Sequence, residues 1–141
     1  MCLITDQKEP MNVENDMTVY KVLKLIDENL WSPYNKYRWD LGKEYCTQIT
    51  ESDNIICFDE EAFECVLINY SNFRRGEGCE GIISYGGGFH SAISINRLRR
   101  VVRDRKDLKI FECTIPEGSS YYTDFSGLIV SNKIIINKEI S

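Results

Sequence analysis

The sequence predicts an α+β fold, in which a single domain is built on an antiparallel β-sheet with one or two α-helices. Its length of 141 residues is typical of one domain. Several short segments rich in β-branched and aromatic residues are separated by turn-forming residues, as in strands joined by hairpins. A further segment repeats its apolar residues at the spacing of a helix. We therefore expect residues 1–141 to form one ligand-binding domain.

The first half of the chain holds two predicted strands and one ambiguous segment. Residues 1–16 are polar and are expected to form a loop or an extended arm. Residues 17–26 and 42–49 have the composition of strands. Residues 59–70 begin with acidic residues, which favours a helix, whereas the second half of this segment is equally typical of a strand. The expected number of helices is therefore one or two.

The second half predicts a helix flanked by strands. Ser94 is of the residue type that caps helix N-termini, and Asp107 is expected to end the helix. The apolar residues between them recur at helical spacing and share one face: Ile95, Leu98, Val101 and Val102. Further strands are predicted at residues 81–85, 108–115, 128–130 and 133–137.

Composition argues against several classes of site and partner. The formal net charge is −5, and general DNA binding needs a broad basic surface instead. No run approaches the length of a membrane-spanning helix, and the first residues lack the basic and apolar regions of a secretion signal. The six cysteines form no Cys-x-x-Cys pair. We therefore expect free thiols, no metal site, no cofactor, no membrane partner and a reducing cytoplasm.

The stretch from Tyr85 to Lys109 is the most informative for function, because it concentrates basic residues in an otherwise acidic chain. Backbone N–H groups of its triple glycine and the guanidinium groups of its arginines suit phosphate oxygens. Aromatic rings offer surfaces on which a base can stack, and the carboxylate of Asp124 can accept hydrogen bonds from ribose hydroxyls. The predicted ligand-binding residues are Phe89, His90, Ser91, Arg99, Arg100, Arg103, Tyr121, Tyr122 and Asp124.

These residues also have a purely structural interpretation. A basic helix face is commonly a solvated surface, and aromatic rings commonly pack in a core. Asp124 precedes Ser126 and Gly127, which is typical of a turn. Both interpretations stay open on the sequence alone.

Catalysis is not expected from the titratable residues. His90 is the only histidine, and its neighbour Ser91 does not make a nucleophile–base pair, because adjacent side chains diverge. The carboxylates of Glu60, Glu61 and Glu64 have the spacing of a solvated helix face rather than of an acid–base pair. We therefore predict no catalytic residue.

Short motifs spread over nearly the whole chain resemble a family of small phage and prophage proteins, the first-described class of Thoeris anti-defence proteins. The motifs are Met1-Cys-Leu-Ile-Thr5, Lys8-Glu-Pro10, Val19-Tyr-Lys-Val-Leu23, Ser32-Pro-Tyr34, Gly88-Phe-His-Ser91, Ile115-Pro-Glu-Gly-Ser-Ser-Tyr-Tyr122 and Ser131-Asn-Lys-Ile-Ile134. Members of this family are sponges: they bind and sequester the cyclic ADP-ribose isomer made by a bacterial immune TIR enzyme, without cleaving it.

The resemblance implies a homodimer or a higher homo-oligomer in the cytoplasm of an infected or lysogenic bacterium. Separate sites for cyclic oligonucleotides from another phage-defence system are also consistent with it. On this basis Arg99, Arg100 or Arg103 is expected to meet the pyrophosphate. Phe89 or Tyr122 would stack on the base, and Asp124 or His90 would meet a ribose or the edge of the base.

Two other functions remain open on the sequence. One is a small nucleotide-modifying enzyme that uses His90 as acid or base. The other is an inhibitor that blocks a host defence protein through an aromatic surface, which would comprise Trp31, Tyr34, Tyr37 and Trp39.

Overall fold

The computed structural model describes residues 3–33, 37–51, 54–59, 64–69, 83–124 and 126–140, with the backbone alone for 54–59 and 64–69. Strands and one helix follow one another along these residues. The strands are β1 (Leu3–Thr5), β2 (Met11–Asn12), β3 (Met17–Ile26), β4 (Asn29–Trp31), β5 (Arg38–Trp39), β6 (Glu44–Cys46), β7 (Thr50–Glu51), β8 (Asn54–Asp59), β9 (Glu64–Asn69), β10 (Ile83–Gly87), β11 (Phe89–Ala92), β12 (Leu108–Ile115), β13 (Ser120–Thr123), β14 (Leu128–Ser131) and β15 (Lys133–Glu139). The helix, α1 (Ile95–Val102), lies between β11 and β12.

The predicted α+β class is wrong, because the described chain is mainly β with a single helix. The ambiguous segment accounts for part of the difference: Glu64–Asn69 is a strand that pairs with β8, so its strand character prevails. Asp59, where the alternative helix would begin, is the last residue of β8, and residues 60–63 lie outside the described part of the chain. The polar arm predicted at residues 1–16 also contributes two short strands, β1 and β2.

The largest sheet is antiparallel and has β3 and β12 at its centre. Its strand order is β2-β13-β14-β11-β3-β12-β15-β6, and β4 and β5 extend it from β3. Residues Leu108 to Ile115 pair one for one with Lys24 to Met17, without a break in register. Both of these strands were predicted with the observed bounds, because β-branched residues in long alternating runs favour a central strand. A second sheet has the order β1-β10-β7.

This large sheet is buried on both faces, and each face carries its own core. The aromatic core consists of Val13, Val19, Leu23, Leu30, Trp39, Tyr45, Phe89, Phe111, Cys113, Ile115, Ile129, Ile134 and Ile136. The helix-side core consists of Leu3, Val22, Tyr85, Ala92, Leu98, Val101, Leu108, Ile110, Leu128 and Val130. Successive side chains of β12 point to opposite faces of the sheet. Ile110 therefore lies in the helix-side core and Phe111 in the aromatic core.

Helix α1 begins where the sequence predicts but ends earlier. The hydroxyl oxygen of Ser94 accepts a hydrogen bond from the backbone N–H of Asn96 at 3.3 Å, so Ser94 is the N-cap. The helix ends at Val102 rather than at Asp107. A tight turn follows, in which the guanidinium of Arg105 makes two hydrogen bonds of 3.1 Å to the carboxylate of Asp107. Leu98 and Val101 anchor the helix in the helix-side core.

Candidate functional site

Strand β11 contains three of the predicted site residues, in a stretch for which the sequence predicted no strand. It pairs with β14 over its whole length, from Phe89 opposite Ser131 to Ala92 opposite Leu128. The ring of Phe89 is buried in the aromatic core and contacts Trp39 edge to face, with 5.6 Å between ring centroids. Ser91 is fully buried. In this structure, therefore, neither of these two side chains faces an open surface.

His90 is held by the backbone of the preceding strand. Its Nε2 lies 3.2 Å from the carbonyl oxygen of Tyr85, and since a carbonyl can only accept, Nε2 carries the proton. Burial of the ring, and then the positive charge of Lys21, lower the pKa of His90 to about 4. His90 is therefore neutral at physiological pH, and its contact with Tyr85 ties the end of β10 to β11.

Lys21 is a half-buried cation that sequence reasoning missed. Its Nζ donates a 2.7 Å hydrogen bond to the backbone carbonyl of His90 and lies 5.5 Å from the ring centroid of Trp39. Burial lowers the pKa of Lys21 to about 8. Lys21 lies two residues from each of the core residues Val19 and Leu23, so all three share one face of β3. A lysine on the core-facing side of a predicted strand is the sequence signal that could have identified it.

The two predicted tyrosines lie on β13 and are both half-buried. The ring of Tyr122 stacks on that of Tyr85, with 4.0 Å between centroids and 22° between planes. Burial, and then the neighbouring hydroxyl of Tyr122, raise the pKa of Tyr85. Tyr121 packs against the aromatic core. One face of the Tyr122 ring is thus already occupied by another ring.

Asp124 forms the turn between β13 and β14. Its Oδ1 accepts hydrogen bonds from the backbone N–H of Ser126 at 2.9 Å, from the hydroxyl of Ser126 at 2.7 Å and from the backbone N–H of Leu128 at 3.1 Å. This is the geometry of an aspartate that replaces a backbone acceptor in a turn. The turn-forming interpretation of Asp124 therefore describes its contacts in this structure.

A cleft of about 350 Å³ lies between α1 and this turn. Its lining residues are Asn96, Arg97, Arg100 and Ser126. Residues three and four apart on a helix share a side, which places Arg97 and Arg100 together. The Nη1 atom of Arg97 donates a 2.7 Å hydrogen bond to the hydroxyl oxygen of Ser126, across 29 residues of sequence.

Among the nine predicted site residues, Arg100 is the one that lines this cleft, and Asp124 supports it through Ser126. Arg99 and Arg103 are exposed and do not line it. Sequence reasoning missed three of the lining residues: Asn96, Arg97 and Ser126. The helical spacing of Arg97 and Arg100 was a usable signal, whereas the approach of Ser126 depends on tertiary structure.

The chemistry of the cleft suits an anion. Two guanidinium groups, those of Arg97 and Arg100, line the cleft, and none of the lining residues that the structure describes carries a carboxylate. Planar guanidinium groups bind phosphate oxygens through paired hydrogen bonds. The volume falls within the range of small-molecule sites, which is about 300–1,000 Å³.

Outside the cleft, the described side chains include two free thiols and no group of metal ligands. In residues 3–33, 37–51, 83–124 and 126–140, no three His, Cys, Asp or Glu side chains are grouped so that they could hold a metal ion. The thiol of Cys113 is buried, which raises its pKa to about 12, while Cys46 is an exposed free thiol. None of the helical segments that the structure describes is long and apolar enough to cross a membrane.

Comparison of the chain with protein-family models, curated proteins and solved structures found no match. The function of the cleft must therefore be argued from its own residues and from the motif resemblance described above.

Proposed function

We propose that the protein is a non-catalytic sponge that binds and sequesters a cyclic ADP-ribose isomer, the signal made by a bacterial immune TIR enzyme. The observation that carries this proposal is the cleft lined by Arg97 and Arg100, whose other described lining residues, Asn96 and Ser126, are uncharged. Such a cleft suits the pyrophosphate of the signal, and the motif resemblance supplies the identity of the ligand. The protein would act in the cytoplasm of the infected or lysogenic bacterium, as a homodimer or higher homo-oligomer.

The environment of the titratable groups supports binding over chemistry. His90 is neutral, desolvated and bonded to a backbone carbonyl, which leaves it poorly placed to exchange protons with a ligand. Ser91 beside it is fully buried in the sheet. A sponge needs only affinity, and nanomolar affinity corresponds to about 12 kcal/mol of binding free energy.

Incubation with the cyclic ADP-ribose isomer tests this function directly. The protein is mixed with the isomer, separated from free ligand, heat-denatured, and the released small molecule is identified by mass spectrometry. We expect intact isomer in stoichiometric amount. A chemically altered product would show an enzyme instead, and no depletion of this or any cyclic nucleotide would favour the inhibitor of a host protein.

Arg100→Ala is expected to weaken binding of the isomer at least about tenfold, because charge-assisted hydrogen bonds contribute about 1.5–3 kcal/mol each. Isothermal titration calorimetry measures the change. Arg103→Ala is the matched control: it removes the same charge from the end of the same helix, outside the cleft lining. Equal losses in both variants would mean that the basic surface acts diffusely and that the cleft is not the site.

A further inference from the structure

A chain of hydrogen bonds connects the cleft to the turn between β13 and β14. Arg97 Nη1 donates to Ser126 Oγ at 2.7 Å, and Ser126 Oγ lies 2.7 Å from Asp124 Oδ1. The turn is itself fixed to the sheet, since the hydroxyl of Thr123 donates to the carbonyl of Leu128 at 2.9 Å. Arg97 is therefore tied to a rigid part of the fold although its side chain is exposed.

The direction of these bonds follows from the donor capacity of each group. A guanidinium has no lone pair to offer, so Ser126 Oγ must accept from Arg97. A carboxylate oxygen accepts, so the single hydroxyl proton of Ser126 goes to Asp124. The hydroxyl proton of Ser126 is thus engaged with Asp124, and the hydroxyl oxygen can only accept hydrogen bonds from groups in the cleft. It cannot donate a hydrogen bond to a phosphate.

We infer that Ser126 and Asp124 are positioning residues, which hold the Arg97 guanidinium in place for an anion rather than contacting the anion themselves. This inference rests on the proposed function of the cleft. A free arginine loses rotamer freedom when it binds a ligand, whereas one already fixed loses less. The guanidinium of Arg100 has no hydrogen bond or ion pair to another described residue, so the cleft combines one fixed cation with one adaptable cation.

The Ser126→Ala variant tests the inference through affinity. The exchange keeps the backbone hydrogen bonds of Asp124 and hence the turn. Affinity for the cyclic ADP-ribose isomer, and for inorganic pyrophosphate as a simpler probe, is expected to fall about five- to tenfold. Ser126→Thr, which retains a hydroxyl, is expected to restore most of it.

A double-mutant cycle with Arg97→Ala separates positioning from direct contact. If Ser126 acts through Arg97, Ser126→Ala causes no further loss once Arg97 is gone. Losses that multiply in the double variant would overturn the inference, because Ser126 would then contribute to binding independently of Arg97.

Nuclear magnetic resonance of the ligand-free protein gives a readout that does not depend on any ligand. A guanidinium anchored at one nitrogen rotates slowly, so we expect resolved Nη signals for Arg97 in the native protein and averaged signals in Ser126→Ala. Identical Arg97 signals in both proteins would refute the anchoring. If neither probe binds the native protein, the proposed function fails, while this spectrum still decides whether Arg97 is held.

Discussion

Replacing Gly88 with alanine is expected to destabilise the fold by about 4 kcal/mol, from backbone strain and overpacking together. Gly88 has φ +124°, a backbone conformation that residues with a Cβ rarely adopt. A Cβ at this position would also lie 2.5 Å from Cγ2 of Val130 and 3.3 Å from the carbonyl oxygen of Ser131. Because Val130 is fully buried and Ser131 contributes a backbone atom, relieving the overlap requires a shift of strand β14 or of the Val130 side chain within the core.

Gly42→Ala is the matched control for this experiment. Gly42 also has positive φ, at +76°, but nothing lies within 4 Å of the Cβ that alanine would add. Its substitution should therefore cost about 1 kcal/mol, the conformational term alone. Urea denaturation, monitored by tryptophan fluorescence, measures the free energy of unfolding of both variants. A loss in Gly88→Ala no larger than that in Gly42→Ala would contradict the close approach of Gly88 to β14.

Acidification is expected to remove up to about 3 kcal/mol of stability through His90 alone. The pKa of this residue is about 4 in the folded protein, against about 6.5 in an unfolded chain. Between these values the unfolded chain binds a proton that the folded protein does not, so the stability contribution is complete above pH 6.5 and lost as pH falls to 4. The ring is desolvated, although the residue keeps some exposed surface, and 3 kcal/mol is therefore the upper bound.

The difference between the native protein and His90→Gln isolates this effect from the titration of carboxylates. Because the sequence contains a single histidine, no other imidazole titrates in this range. Urea denaturation at intervals from pH 7 to pH 4 should show the native protein losing stability faster than the variant. Parallel curves would mean that the His90 ring is solvated and that its contact with Tyr85 does not hold in solution.

The sequence predicts the centre of the fold well because that information is local. Met17–Ile26 and Leu108–Ile115 carry enough β-branched residues to identify themselves as strands, and Ser94 identifies the start of the helix by its own side chain. Phe89–Ala92 is different: it is short, follows three glycines and becomes a strand by pairing with β14 and β3. Pairing across such distances is not encoded in composition.

The candidate site shows the same limit. Arg100 lies on the arginine-rich helix that the sequence singles out, and it lines the cleft, while its role in anion binding stays a prediction. Phe89 was a reasonable stacking residue by type, yet tertiary packing against Trp39 places its ring in the core. Ser126 is an ordinary turn residue until the fold brings it to Arg97. The proposal of a cyclic ADP-ribose isomer as the ligand rests on the motif resemblance, and the incubation experiment tests it.

The shallow anchoring of α1 has a consequence for how the cleft can change. The helix is eight residues long, and its fully buried contact with the sheet is made by Leu98, with Val101 beside it. A change of side-chain volume at either position would alter how the helix packs on the sheet, and Arg97 and Arg100 would move with it. The distance from these two arginines to the turn that faces them therefore depends on residues that do not line the cleft. If the cleft binds the proposed anion, exchanges in the core would change its ligand preference while every described lining residue stays the same.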